Sequence, residues 1–385
     1  MHVGLNLVYL VPGQTGGMET YARELIPALV AAAPQARFTA FVNREAADDP
    51  TGPWAQLIPA VTVPVRARNR LEWVRGEQQL LPRLAARAGV QLVHSLGSTA
   101  PAWGRFPRVV TIHDLAYRLA PEAHLGLAGL GMRVLVPLAA HRSHRIIVPT
   151  ECTRADVCRL LRVPPGRVDV IPEGVGTAMR SDALPEPALR TRLSLGNRPI
   201  VLCVSAKRPH KNLARLTGAL ARVPAERRPI LVLPGYSTSH ERELRRRAAE
   251  VGVTSDVKFL GWVEPAELEG LYGAAACFIF PSLFEGFGLP VLEAMARGVP
   301  VACSGRAALA EVAGDAALLF DPDSEASIAA AIERLLRDRS EVERLRHAGI
   351  ERAARFTWAA TAAGTLASYE QALAGYERTL AGAAR

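Results

Sequence analysis

Ser282-Leu283-Phe284-Glu285-Gly286-Phe287-Gly288-Leu289-Pro290-Val291-Leu292-Glu293-Ala294-Met295-Ala296 follows an apolar, strand-like run and leads into a helical pattern. Gly286 and Gly288 strip side chains from the turn, so a ligand can come close to the backbone. Pro290 suits the first helical turn, where a missing N–H costs nothing. The amides of Leu289, Val291 and Leu292 are then expected to point outward at the positive end of the helix dipole, a setting that receives phosphate. Glu285 stands before the turn and Glu293 about one turn into the helix, eight residues apart. A carboxylate offers two acceptors to vicinal hydroxyls through charge-assisted bonds. Glu285 is therefore placed for a sugar and Glu293 for a ribose. The competing reading is a helix that is merely well capped; the two glycines and the strand before them weigh against it.

The same alternation of short β-branched runs and longer helical patterns extends through most of the chain, the mark of parallel sheets built from βαβ units. Strands are expected at Val3–Val11, Phe38–Val42, Leu92–His94, Val109–Ile112, Arg145–Pro149 and Val168–Ile171, with helices at Gly17–Ala32, Glu72–Ala88 and Ala128–Ser143. Gly174–Pro199 carries Pro185, Pro187 and Pro199 with little periodicity and reads as a linker. The pattern then restarts with strands at Ile200–Ser205, Ile230–Pro234, Val257–Leu260, Ala276–Pro281 and Pro300–Cys303, separated by helices. Beyond Asp321 it is helical, at Glu325–Arg337, Glu341–Phe356 and Thr361–Ala381. At 385 residues the chain exceeds what one core usually organises. We expect one α/β domain over 1–184 and a second over 185–360.

Composition narrows the function. With 49% hydrophobic and 22% charged residues the chain is a globular protein, not a disordered one. No apolar run approaches the ~20 residues of a membrane-spanning helix, and no signal peptide is seen, so a cytoplasmic location is expected. The five cysteines are odd in number and form no CxxC pair, against zinc or a disulfide framework. Residues 1–185 hold 20 Arg, no Lys and 14 acidic residues, a net +6 of the total +9. Such a basic half suits an anionic partner or simply a solvated Arg-rich surface. Its arginines are scattered without clustered aromatics, so no nucleic-acid partner is expected.

The Glu285-x7-Glu293 stretch resembles the donor-site signature of retaining glycosyltransferase family 4, in its mannosyltransferase and rhamnosyltransferase-like branch. The resemblance covers nearly the whole chain. It implies the GT-B fold: two Rossmann-like domains facing a central cleft, the nucleotide sugar on the second and the acceptor on the first. A C-terminal helix, about 361–385, crosses back to the first domain.

Three further motifs fall in the family's order. Gly16-Gly17-Met18-Glu19 opens a helix after the first strand; alone it is a tight turn, and the resemblance implies that Gly16 or Gly17 faces donor phosphate or acceptor. Thr111-Ile112-His113-Asp114 ends a strand, where open α/β sheets place ligands. A structural histidine is the plainer reading, and the resemblance places His113 beside the transferred sugar, with Asp114 orienting it or capping the next helix. Ser205-Ala206-Lys207-Arg208-Pro209-His210-Lys211-Asn212 matches the family's diphosphate-holding Lys at Lys211. It departs where Ser205 and Ala206 replace the usual Gly and Arg, leaving Lys207 or Arg208 to supply a second cation. Trp262 and Val263, with Gly235 and Tyr236 nearby, are weak candidates for the base, and core packing competes for Trp262.

The resemblance thus implies catalytic roles for His113, Glu285 and Lys211. Donor contacts are implied at Gly16, Gly17, Lys207, Arg208, Lys211, Trp262, Val263, Glu285, Gly286, Phe287, Gly288, Leu289 and Glu293. No DxD-like pair is read in a strand–loop setting that would hold a divalent cation on the phosphates, so no metal and no cofactor beyond the nucleotide-sugar co-substrate are expected. Arg66–Arg75, four Arg with Leu71 and Trp73, is either an acceptor loop or a dock for an anionic membrane bearing a lipid-linked saccharide. A phosphorylase on the same fold and a non-catalytic scaffold are the rival classes.

Overall fold

The structure, a computed structural model, describes residues 1–119, 127–176 and 182–383. It divides into two compact units, Met1–Gly174 with Phe356–Arg385, and Val175–Arg355.

The first unit holds a parallel sheet of seven strands: β1 (His2–Leu7), β2 (Arg37–Val42), β3 (Ala60–Thr62), β4 (Leu92–Ser95), β5 (Arg108–Thr111), β6 (Arg145–Val148) and β7 (Val168–Val170). Their order is β3-β2-β1-β4-β5-β6-β7, so the winding reverses between β1 and β4. The second unit repeats the design with β8 (Ile200–Leu202), β9 (Ile230–Leu233), β10 (Val257–Phe259), β11 (Ala275–Phe280), β12 (Val301–Ser304) and β13 (Leu318–Phe320), ordered β10-β9-β8-β11-β12-β13. Its reversal lies between β8 and β11. Both are Rossmann-like sheets, and such reversals open a crevice at the carboxyl ends of the flanking strands. Ile230–Leu233 and most of Ala275–Phe280 are buried, as expected of parallel strands covered on both faces.

The helix Gly17–Ala32 buries Tyr21, Ala22, Leu25, Ile26 and Leu29, a stripe at helical spacing. They pack with Leu5 and Leu7 of β1 and with Ala362, Tyr369 and Ala372 of the last helix, Trp358–Ala383. The C-terminal helix thus completes the first unit's core, and Phe356, not residue 361, is where the chain rejoins that unit.

Several expectations are corrected. The division falls after Gly174, not after Leu184, and Leu184 donates its N–H to Ala266 O (2.9 Å) inside the second unit. The expected linker contains a helix, Glu186–Leu193, led by Pro185; its residues 177–181 lie outside the described residues, as do 384–385 of the C-terminal helix. The expected helix Glu72–Ala88 is three segments: α-helix Arg70–Arg75, a π-helical turn Gly76–Leu80 and α-helix Leu81–Arg87. Pro82 lacks an N–H and crowds the carbonyl four residues earlier, which the wider turn relieves. β3, β13 and helices Glu151–Leu161 and Ala307–Ala313 were not foreseen.

Candidate active site

In the second unit the two loops that leave the strands flanking the reversal are sewn together. Asn212, in the left-handed conformation (φ 60°), donates from Nδ2 to Pro281 O (3.1 Å) and Pro322 O (2.7 Å). Leu283 N–H donates to His210 O (2.8 Å), and Ser282 Oγ to the same carbonyl (3.2 Å). This stitching brings Lys211 to Glu285: Nζ lies 2.6 Å from Oε1.

The helix Leu289–Ala296 starts at Gly288, whose φ of 110° favours glycine. A Cβ there would stand 2.5 Å from Leu309 Cδ2. Of the three amides expected to point outward, that of Val291 is turned back on Gly288 O (2.9 Å). Phe287 is buried, so its ring packs inside the unit. Glu293 accepts from Tyr272 Oη at 3.0 Å. Burial, with Glu293 beside it, holds that phenol well above its ordinary value, so it remains a donor. Arg297 pairs with Glu269 and also donates from Nη1 to Glu293 O (3.0 Å), which fixes the helix end.

Lys207 is fully buried, and this corrects its expected part at the phosphates. Its Nζ donates to Gly235 O (2.5 Å) and Leu260 O, the chain leaving β9 and β10. Burial pulls this ammonium down to about 8. Arg208, by contrast, is exposed, and no hydrogen bond or ion pair engages its guanidinium among the described residues. Gly235 (φ 128°) cannot be another residue, for a Cβ would meet Ser205 O at 2.2 Å. Trp262 is 63% exposed, not in a core, and stacks on Tyr236 with ring centres 5.0 Å apart. Val263 beside it is half-buried.

In the first unit Gly16 (φ 65°) caps the helix Gly17–Ala32, and an added Cβ at Gly16 or Gly17 would meet nothing within 4 Å. Glu19 shapes that loop by accepting from Gly13 N–H (2.8 Å) and Arg23 Nε (3.0 Å). His113, just past β5, bonds through Nδ1 to Glu173 Oε1 (2.9 Å) and through Nε2 to Leu96 O (2.9 Å). Burial opposes its charging, yet the bond and charge of Glu173, with Leu96 O and Asp114, raise it above its ordinary value. Asp114 caps the following turn through Ala116 N–H (2.8 Å) and does not orient the ring. Sequence reading missed Glu173, which is sixty residues from its partner. Its only local signal was an acid shortly after a strand and just before Gly174, where a Cβ would strike Trp358 N at 2.3 Å. Among the described residues no three His, Cys, Asp or Glu side chains gather as metal ligands would.

Two Rossmann-like units, one carrying a glycine turn, a helix start and a Lys–Glu pair at its winding reversal, define the glycosyltransferase architecture called GT-B. The pattern of glycosyltransferase family 4 matches residues 15–178, and that of glycosyl transferases group 1 matches residues 187–352. The O-antigen chain mannosyltransferase B of Escherichia coli is 32% identical over 68% of this chain and 70% of its own. The D-inositol 3-phosphate glycosyltransferase of Frankia alni is 31% identical, over 94% of this chain and 96% of its own. The sucrose-phosphate synthase of Thermosynechococcus elongatus superposes with a TM-score of 0.79 at 23% identity, covering 97% of this chain and 100% of its own. The chain belongs to glycosyltransferase family 4, and it is a glycosyltransferase.

Proposed function

We propose that this enzyme moves a hexosyl group, with retention and without a metal, from a nucleotide-diphosphate sugar to an acceptor hydroxyl. Val175–Arg355 would bind the donor and the first unit the acceptor. The observation that carries this reading is the Lys211–Glu285 pair beside the glycine turn that opens the helix Leu289–Ala296. In the reaction the anomeric C–O bond to the diphosphate breaks, its electron pair leaving with the phosphate oxygen. The acceptor oxygen bonds the anomeric carbon, and its proton passes to the departing phosphate. Negative charge grows on the leaving group, where fixed cations and amide dipoles are commonly the largest catalytic contribution. Lys211 and the exposed Arg208 supply the cations, Glu285 binds sugar hydroxyls, Glu293 the ribose, and Trp262 over Tyr236 a face for the base.

A mannosyl donor, GDP-mannose, is favoured because the similar E. coli protein is named a mannosyltransferase. The acceptor would be a saccharide, a lipid-linked saccharide or a small molecule. No described helix is long and apolar enough to cross a membrane. Docking at the inner face of an anionic membrane has support from Leu71, 84% exposed among Arg66, Arg68, Arg70 and Arg75, whereas Trp73 is buried. Co-sedimentation with anionic vesicles tests it, and indifference to salt and lipid charge would remove it.

The central test is a thermal-shift screen over GDP-mannose, UDP-glucose, UDP-N-acetylglucosamine and dTDP-rhamnose, since a ligand of the folded state alone raises its stability. Transfer from the stabilising donor to a methyl glycoside is then followed with and without EDTA, and the product anomer assigned. Loss of transfer in EDTA, or an inverted product, would defeat those parts of the reading. Turnover of a hexose 1-phosphate in preference to every sugar nucleotide would favour a phosphorylase.

A further inference from the structure

His113 is held on both sides by groups that accept. Leu96 O has no proton to give, so the bond at 2.9 Å requires a hydrogen on Nε2. On the other side Nδ1 faces Glu173 Oε1 at 2.9 Å, and a hydrogen bond there needs a second proton between nitrogen and carboxylate. The pair therefore carries one proton more than a neutral imidazole beside a carboxylate. An ordinary carboxyl gives up its proton about two pH units below an imidazolium, so that proton rests on Nδ1.

The surroundings agree. Asp114 adds a second negative charge near the ring. His94 does not compete as a cation: burial, and His113 itself, push it down to about 3, and its nitrogens are engaged by Tyr369 Oη (2.7 Å) and Thr111 Oγ1 (2.8 Å). Tyr21 meets the His113 ring edge-on at 4.8 Å, and burial holds its phenol protonated. Leu96 follows β4, His113 follows β5 and Glu173 follows β7, so the bonded trio braces three strand ends at one edge of the sheet.

We propose that Glu173 is a positioning residue that keeps His113 doubly protonated, so that the histidine serves transfer as a fixed, cation-bearing brace and not as the base that takes the acceptor's proton. This rests on the glycosyl-transfer reading for its service to catalysis, but not for the protonation itself.

The experiment uses the full chain labelled with 15N-histidine, His113 being assigned with His113→Gln. At pH 6.5, where an ordinary imidazole is half-charged, both His113 nitrogens should carry hydrogen in most wild-type molecules. In Glu173→Gln the amide donates to Nδ1, so the ring turns neutral while Nε2–H stays on Leu96 O. The variant therefore removes the charge and keeps the geometry. With GDP-mannose and a methyl mannoside, kcat should fall on the order of 10- to 100-fold, by analogy with partners that orient metal-bound histidines. The alkaline limb of the kcat profile should move to lower pH, with KM for donor within about twofold because Glu173 acts through His113 and is itself assigned no donor contact. A wild-type His113 that is half-titrated at or below 6.5 would overturn the proposal. So would an unchanged kcat and pH profile in a variant whose His113 has become neutral. Doubly protonated His113 in a chain that turns over no nucleotide sugar would overturn the transfer reading and leave the protonation standing.

Discussion

Lys211 Nζ lies 2.6 Å from Glu285 Oε1, with the two side chains only 18% and 14% exposed. On the proposed reading, a diphosphate arriving at Lys211 would meet a cation already paired with the carboxylate assigned to the sugar. Removing that carboxylate should separate the two duties. GDP should bind Glu285→Gln more tightly than wild type and Lys211→Met less tightly, while sugar transfer falls by about 10²-fold or more in both. Calorimetry with GDP and initial rates decide it. Weaker GDP binding to Glu285→Gln would contradict the arrangement.

The neighbouring cations should divide in a different way. Lys207→Met leaves Gly235 O and Leu260 O without their buried donor and should cost about 1–3 kcal/mol of stability. Arg208→Ala should leave stability within about 0.5 kcal/mol yet weaken GDP binding. Urea unfolding paired with calorimetry separates them, and a stable Lys207→Met with poor GDP binding would reverse the roles.

Trp262 stands exposed on Tyr236, so Trp262→Ala should barely move the melting temperature. If a base stacks there, the variant should lose about 1–3 kcal/mol of nucleotide affinity. An unaltered Kd for GDP would return the tryptophan to a surface role.

The glycines offer a contrast between strain and access. Gly288→Ala combines a positive φ with a 2.5 Å approach to Leu309 and should cost about 1–3 kcal/mol. Gly17→Ala meets nothing within 4 Å and heads a helix, so it should leave stability within about 0.5 kcal/mol. Any loss of transfer in Gly17→Ala then reports a ligand against that loop, measured as a changed KM for donor or acceptor.

His113 also links stability to pH. Its folded-state value is raised above 6.5, burial being outweighed by Glu173, so the native state holds the proton more tightly than the unfolded chain does. That stabilisation is fully present below 6.5 and is lost as pH rises through the raised value. The melting-temperature gap between wild type and Glu173→Gln should be widest in mildly acidic buffer, above the carboxyl range near about 4.3, and shrink toward alkaline pH. A gap that widens toward alkaline pH would refute the linkage.

Most of the fold could be read along the chain because parallel sheets write themselves as apolar runs between helical stripes. The helices Gly17–Ala32 and Glu325–Arg337 fall where the pattern puts them. Local rules faltered where a single residue redirects a regular stretch. Pro82 turned one expected helix into three segments, and the short helix after Pro185 hid inside a proline-rich segment.

The order of elements, the two sheets and the glycine turn between Glu285 and Glu293 followed from sequence alone, because each depends on residues within a few positions of one another. Three features came only from tertiary structure. These are the burial of Lys207 against Gly235 and Leu260, the exposure of Trp262 on Tyr236, and the meeting of Glu173 with His113. In each, the partners leave the ends of different strands. Strand order and register decide which side chains converge there, and neither is written in the spacing of the residues themselves.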